Sequence, residues 1–184
     1  MNKLIVRISI ILSVILLFFV VFIGMEHRIR IIRQENAEEC SEVVFDLIKS
    51  INYKNIDRID ECLYGKVPVV GAFTYYHKDA VEDNLRIFHR DICSGSIGRV
   101  SFYHNMIQMK CLMTDDTSSK RVDYIILKKI DKDWKIIEIY GDGWLTNELF
   151  KTTYEDNIYA YDSVFWDFTE FSECDYTADY QRIH

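Results

Sequence analysis

Residues 106–140 decide the fold, and they read MIQMKCLMTDDTSSKRVDYIILKKIDKDWKIIEIY. Apolar and polar side chains alternate in three runs, the first being Met106–Thr114, and this period of two is typical of half-buried β-strands. Asp115–Ser119 and Asp131–Asp133 supply polar turns between the runs. A short strand over Arg99–Tyr103 is expected in front of them. The pattern therefore predicts an antiparallel meander.

The segments before the meander have the spacing of helices. Residues 37–52 place apolar side chains at i, i+3, i+4 and i+7, and Asn55 can cap a short second helix. A third helix is expected over Asp79–Ile92, and the glycine- and serine-rich Cys93–Gly98 is expected to end it. Three helices followed by an antiparallel meander define the α+β class.

This order of elements resembles a known superfamily. Together with the motif ILKKIDKDWKIIEI of residues 126–139, it is similar to the nuclear-transport-factor-two-like (NTF2-like), cystatin-like cone fold. Many membrane-anchored bacterial members end on such a hairpin, with an aspartate/glycine turn before Trp-Lys-Ile. Here the turn, Asp131-Lys132-Asp133, lacks the glycine. The resemblance covers residues 37–140 and implies a cone-like α+β domain.

The N-terminal segment is an apolar run. Leu4–Gly24 contains two serines and one charged residue, Arg7, and it is long enough to cross a ~30 Å hydrocarbon layer as a helix. A cleaved signal peptide is the alternative, but Phe22 stands where a peptidase needs a small side chain. The sequence predicts an uncleaved transmembrane anchor. Basic residues flank both ends, and the short N-terminal flank favours a domain outside the cytoplasm, at a bacterial inner membrane facing the periplasm.

The predicted organisation has four parts. They are an anchor over residues 1–25, a basic juxtamembrane segment over residues 26–36, the cone-like domain over residues 37–144, and an acidic, aromatic C-terminal extension over residues 145–184.

Charge is distributed unevenly between these parts. The last 40 residues carry nine acidic and two basic side chains and so hold the whole net charge of −7. Nucleic-acid binding is disfavoured, because it needs a basic face. The basic cluster Arg28–Arg33 adjoins the anchor and suits anionic lipid headgroups.

The cone fold implies a concave pocket, where enzymes of this fold use Asp, His and Tyr for proton transfer on small hydrophobic substrates. No spacing in this chain identifies an acid–base pair, and the preferred interpretation is that the candidates are surface or hydrogen-bonded core residues. The chain's candidates for this pocket are His77, His89, Tyr103, His104 and Asp123.

The C-terminal extension is a second candidate site. Ten aromatic side chains lie between Phe150 and Tyr180, interleaved with acids, as in surfaces that bind a basic protein partner. The alternative is that the extension wraps the sheet. The residues expected to contact a partner are Asp162, Trp166, Asp167 and Glu170.

The sequence shows no cofactor motif and no metal-ligand spacing among its five cysteines and five histidines. If the domain is exported, a disulfide is expected, with Cys40–Cys62 as the first candidate.

Three functions fit these observations. The first is a membrane-anchored domain that binds a protein or small ligand without catalysis. The second is a bacterial immunity-type inhibitor whose acidic tail occupies a basic toxin. The third is a small-molecule isomerase or dehydratase that uses the cone pocket.

Overall fold

A single long helix, α1, begins the structure and covers Lys3–Asn52. The chain divides into two compact units, residues 1–36 and residues 37–184. The computed structural model describes residues 3–65, 67–69, 74–151, 172–174 and 176–181.

The first unit is helical, and between Ser9 and Met25 its surface is almost entirely apolar. Every large apolar side chain from Ile10 to Ile23 is exposed, with Phe18 at 72%. Within the described residues, α1 is the one helix long and apolar enough to cross a membrane, judged by length and composition. Such a surface is unfavourable in water, because transfer of each large apolar side chain out of water lowers the free energy by about 1.5–3 kcal/mol.

In the second unit, α1 becomes amphipathic. Its buried residues follow the predicted helical spacing along one stripe that faces the core: Cys40, Val44, Leu47, Ile48 and Ile51.

Two shorter helices follow. The helix α2 covers Ile56–Cys62, and the Asn55 side chain accepts a hydrogen bond from the backbone N–H of Arg58 at 3.1 Å, as an N-cap does. The helix α3 covers Lys78–Ile87. The predicted third helix extended to Ile92 and was too long at its end.

One mixed sheet of eight strands packs against the helices. Strand order is β2-β1-β6-β5-β4-β3-β7, with β8 also pairing with β3. All neighbouring strands pair antiparallel except β1 and β6, which are parallel to each other. The strands are β1 (Pro68–Val69), β2 (Thr74–Tyr75), β3 (Ile92–Tyr103), β4 (Met106–Asp115), β5 (Lys120–Ile130), β6 (Asp133–Gly141), β7 (Ser172–Cys174) and β8 (Ala178–Gln181).

The predicted α+β class and the order of three helices before a meander are confirmed. The largest local difference is β3, which starts at Ile92, whereas the sequence predicted a break over Cys93–Gly98. Pairing with β4 on one side and with β8 on the other makes this glycine-containing segment a strand, and two register shifts relieve the irregularity.

A bulge also changes which side chains of β6 face the core. The register shifts between Ile126 and Leu127 of β5, so that Ile136 and Ile139 both lie in the main core, fully buried. Ile137 is half-buried and packs in a small cluster on the other face of the sheet.

Four of the five cysteines, Cys40, Cys62, Cys93 and Cys111, are free thiols in the part of the chain whose side chains are described. Cys40 and Cys62 are buried free thiols, so the predicted bridge between them is wrong. Burial raises the pKa of the Cys62 thiol to about 11, which keeps it protonated and unreactive.

Candidate functional site

The predicted pocket residues lie in separate parts of the domain. Tyr103 and His104 are at the β3–β4 turn, where their rings touch edge to face with centroids 4.5 Å apart. His77 precedes α3 as its N-cap residue, and His89 follows the end of that helix. The ten-residue helix between the two histidines is about 15 Å long.

His89 borders a small surface cavity of about 350 Å³, together with Arg90, Asp116 and Glu148. Arg90 is already engaged there. Its guanidinium pairs with Asp115 at 2.7 Å and lies 3.4 Å from Glu148.

Asp123 lies far from the aromatic pair at the β3–β4 turn. It pairs with Cys111 across β4 and β5, whereas Met106, next to that turn, pairs with Lys128. Five residues along a strand correspond to roughly 17 Å. The structure therefore brings Tyr103 and His104 together but separates them from the one buried carboxylate of the predicted set.

Asp123 is fully buried and saturated with hydrogen bonds. Its carboxylate accepts from the backbone N–H of Leu145 at 3.1 Å, from that of Thr146 at 3.3 Å, and from the Thr146 hydroxyl at 2.6 Å. These donors belong to the first turn of a short π-helix over Leu145–Leu149, which follows β6. The carboxylate thus holds the end of the meander to the segment that follows it.

The surroundings of Asp123 leave little room for a ligand. Burial raises the pKa of this carboxyl to about 6, although the hydrogen bonds from Thr146 and Leu145 act in the opposite direction. A Cβ atom at Gly143 would overlap the carboxylate, so glycine is required there. Each contact is one that a structural carboxylate makes.

The four residues predicted to bind a partner, Asp162, Trp166, Asp167 and Glu170, lie outside the described residues. Their role stays a prediction.

An open cleft lies at the other end of the β5–β6 hairpin, with a volume of about 500 Å³. One wall is α1, the second is α2, and the third is the start of β6. Val43, Cys62 and Trp134 provide its apolar surface. The charged residues that line it are Glu39, Asp46, Arg58, Glu61, Lys132, Asp133 and Lys135.

Arg58 connects the two helical walls of this cleft. Its guanidinium pairs with Asp46 of α1 at 2.9 Å and with Glu61 of α2 at 2.6 Å. All three side chains are about half exposed. Water screens such pairs, so they contribute little to stability and can exchange partners at small cost.

Glu39 organises the third wall. Its carboxylate accepts a hydrogen bond from Lys129 and another from the Trp134 indole N–H, both at 2.8 Å. These two hydrogen bonds, the Lys129 one first, lower the pKa of the Glu39 carboxyl below its usual value. The Lys129 ammonium also lies 5.4 Å from the centre of the Trp134 ring. Glu39 therefore stays ionised and fixes the indole at the edge of the cleft.

The size and the lining of the cleft can be compared with those of ligand pockets. Its volume falls within the usual range of ligand pockets, and its rim offers charges of both signs over an apolar floor. No group of three or more potential metal ligands occurs in the part of the chain that the structure describes.

Sequence reasoning missed this cleft, because its walls come from three distant segments. A usable signal exists in α1. Glu39, Val43 and Asp46 recur at spacings of four and three, which places them on one helical face.

The architecture is that of an α+β domain in which an antiparallel meander and the helices share one core. Solved structures similar to this chain include an NTF-2-like protein of unknown function from Silicibacter pomeroyi (13% identity, 58% of this chain and 93% of that chain covered, TM-score 0.48). Others are a cystatin-like-fold protein from Nostoc punctiforme (12% identity, 58% and 90%, TM-score 0.46) and an NTF2-like protein from Shewanella baltica (10% identity, 58% and 91%, TM-score 0.45).

These neighbours are described as NTF2-like or cystatin-like, in agreement with the resemblance found in the sequence. No family model and no curated protein matches the chain. The element order and the strand pairing therefore define the fold.

Proposed function

We propose that this chain is a single-pass membrane protein whose domain, residues 37–144, lies outside the cytoplasm and binds a protein or small ligand without catalysing a reaction. The proposal is supported by the contrast between the buried carboxylate of Asp123 and the half-exposed charged side chains around the cleft. Asp123, the carboxylate among the residues predicted for the pocket, is buried and accepts hydrogen bonds from Leu145 and Thr146. The half-exposed charges around the cleft are free to rearrange around a partner.

The anchor is Leu4–Gly24. The exposed apolar surface of Ile10–Ile23 supports insertion into a bilayer, since hydrocarbon is the solvent that such a surface prefers. Full-length protein is expected in the membrane fraction after carbonate extraction. A mature form that begins near residue 25 and remains in the soluble fraction would contradict the anchor.

The binding site is the cleft between α1, α2 and the start of β6. Lys132 on its rim is exposed, and the described structure gives it no ion pair, so it is a suitable position for a probe. Lys120, at the start of β5, is also exposed and does not line the cleft, which makes it a matched control.

The experiment replaces Lys132 or Lys120, one at a time, with a photo-reactive benzophenone amino acid in the full chain, in the cells that normally produce it. Irradiation and intact-mass measurement report a protein or a small ligand alike. A discrete adduct is expected from position 132, none from position 120, and loss of the adduct when Arg58→Gln and Glu39→Gln are added.

Equal adducts at both positions, or none at position 132, would contradict binding in the cleft. The same probe at Trp166 tests the C-terminal extension. An adduct there without one at position 132 would favour the immunity-type inhibitor over the present proposal.

A further inference from the structure

The apolar surface of α1 continues beyond Gly24. Met25, Ile29 and Ile32 are spaced at i, i+4 and i+7 and therefore form one stripe along the helix. They are 58%, 45% and 54% exposed. Together with the preceding exposed residues, the apolar surface reaches from Ile10 to Ile32, which is about 35 Å of helix at 1.5 Å per residue.

Arginines border this stripe. Arg28 and Arg33 lie on its two sides, each roughly 70° from its midline at 3.6 residues per turn. Arg30 lies further round the helix, and Glu26 is the one acidic residue between Met25 and Gln34. Residues 25–34 thus combine an apolar stripe with a net positive charge of the flanking side chains.

The helix can be compared with the layers of a bilayer. The hydrocarbon core is about 30 Å thick, and the headgroup layer on each side adds about 5–8 Å. If Leu4–Gly24 fills the hydrocarbon, then residues 25–29 lie in the adjoining headgroup layer, and Ile32 and Arg33 lie about one helical turn beyond it. In the headgroup layer the start of the apolar stripe contacts the upper acyl chains, and the long side chains of Arg28 and Arg33 extend to the phosphates.

We propose that residues 25–33 of α1 form a binding site for anionic phospholipid headgroups. This inference rests on the proposed anchor but not on the cleft. Guanidinium groups donate two parallel hydrogen bonds to phosphate oxygens, and the net positive charge favours anionic over zwitterionic lipid. Lipid covers both the charge and the apolar stripe, whereas free phosphate satisfies the charge alone.

Native mass spectrometry tests the site. The full chain is released from micelles that contain equal amounts of phosphatidylglycerol and phosphatidylcholine. Phosphatidylglycerol adducts are expected to exceed phosphatidylcholine adducts several-fold. The double variant Arg28→Gln/Arg33→Gln should bring the two closer to parity. The matched control Lys120→Gln/Arg121→Gln removes two exposed positive charges from the domain and should keep the preference.

Three results would overturn the site: no lipid preference in the wild-type chain, an unchanged preference in the Arg28/Arg33 variant, or equal adducts with soluble glycerol 1-phosphate. A dimer mass that disappears in Ile29→Ser/Ile32→Ser, with no lipid preference, would instead assign the stripe to a second copy of the chain. Carbonate extraction distinguishes a failure of the lipid site from a failure of the anchor. An integral protein without lipid preference refutes this site alone, and a soluble chain refutes the anchor.

Discussion

The two ends of the β5–β6 hairpin use the same types of side chain in opposite ways. At one end, Asp123 is fully buried and accepts hydrogen bonds from Leu145 and Thr146. At the other end, Glu39 and Arg58 lie at the rim of an open cleft, in ion pairs that water can reach. The difference is one of solvent access: the donors around Asp123 are buried with it, whereas water competes for the ion pairs of Glu39 and Arg58.

The largest effect is expected from a substitution at the buried end of the β5–β6 hairpin. Asp123→Ala removes the acceptor of the Leu145 and Thr146 backbone N–H groups and of the Thr146 hydroxyl. Leaving these donors buried and unpaired should cost roughly 3–5 kcal/mol of unfolding free energy, measured by chemical denaturation in detergent. The control Asp116→Ala, at an exposed turn position, should change stability by less than about 0.5 kcal/mol. Similar losses in the two variants would show that Asp123 has no special structural role.

The next effect concerns pH and has a defined sign. The pKa of Asp123 is raised from its ordinary 3.8 to about 6, so the folded chain holds this proton more tightly than the unfolded chain. Protonated Asp123 therefore contributes its full stabilisation below about pH 4. As the pH rises through 6, the free energy of unfolding falls by an amount on the order of 3 kcal/mol.

Asp123→Asn is the matched variant for this pH effect, because it keeps the size of the side chain but cannot ionise. The difference in unfolding free energy between wild type and variant should fall between pH 4 and pH 6.5 and then level off. A difference that stays constant over this range would refute the raised pKa. Taking the difference removes the contributions of Glu39 and Asp115, whose pKa values are lowered.

The smallest expected effect on stability belongs to the open end. Arg58→Gln breaks the pairs with Asp46 and Glu61, which are about half exposed. Because water screens these pairs, the unfolding free energy should change by less than about 1 kcal/mol. A loss above about 2 kcal/mol would mean that the cleft, like the Asp123 end, is a structural network.

The sequence predicted well whatever depends on local period. Alternation located β4 to β6, and helical spacing located the buried stripe of α1 from Cys40 to Ile51. It failed where pairing overrides propensity, as at Ile92, where a segment that contains glycine becomes a strand because β4 and β8 both bond to it.

The sites were harder to predict for a similar reason. The residue type made Asp123 a candidate for a pocket, but its donors, Leu145 and Thr146, lie 22 and 23 residues away in a π-helix that no local pattern indicates. The cleft depends on Glu39 meeting Trp134 across 95 residues of sequence. Only the tertiary fold brings such pairs together.

The central claim is that this domain works through the cleft and not through the carboxylate inside the fold. The most direct measurement compares the adduct yield of the photo-reactive probe at position 132 in three full-length chains at pH 7. These carry the probe alone, the probe with Asp123→Asn, and the probe with Arg58→Gln. We predict that Asp123→Asn keeps the yield in proportion to the folded fraction and that Arg58→Gln lowers it several-fold. A yield that Asp123→Asn abolishes in folded protein, while Arg58→Gln leaves it unchanged, would contradict this account.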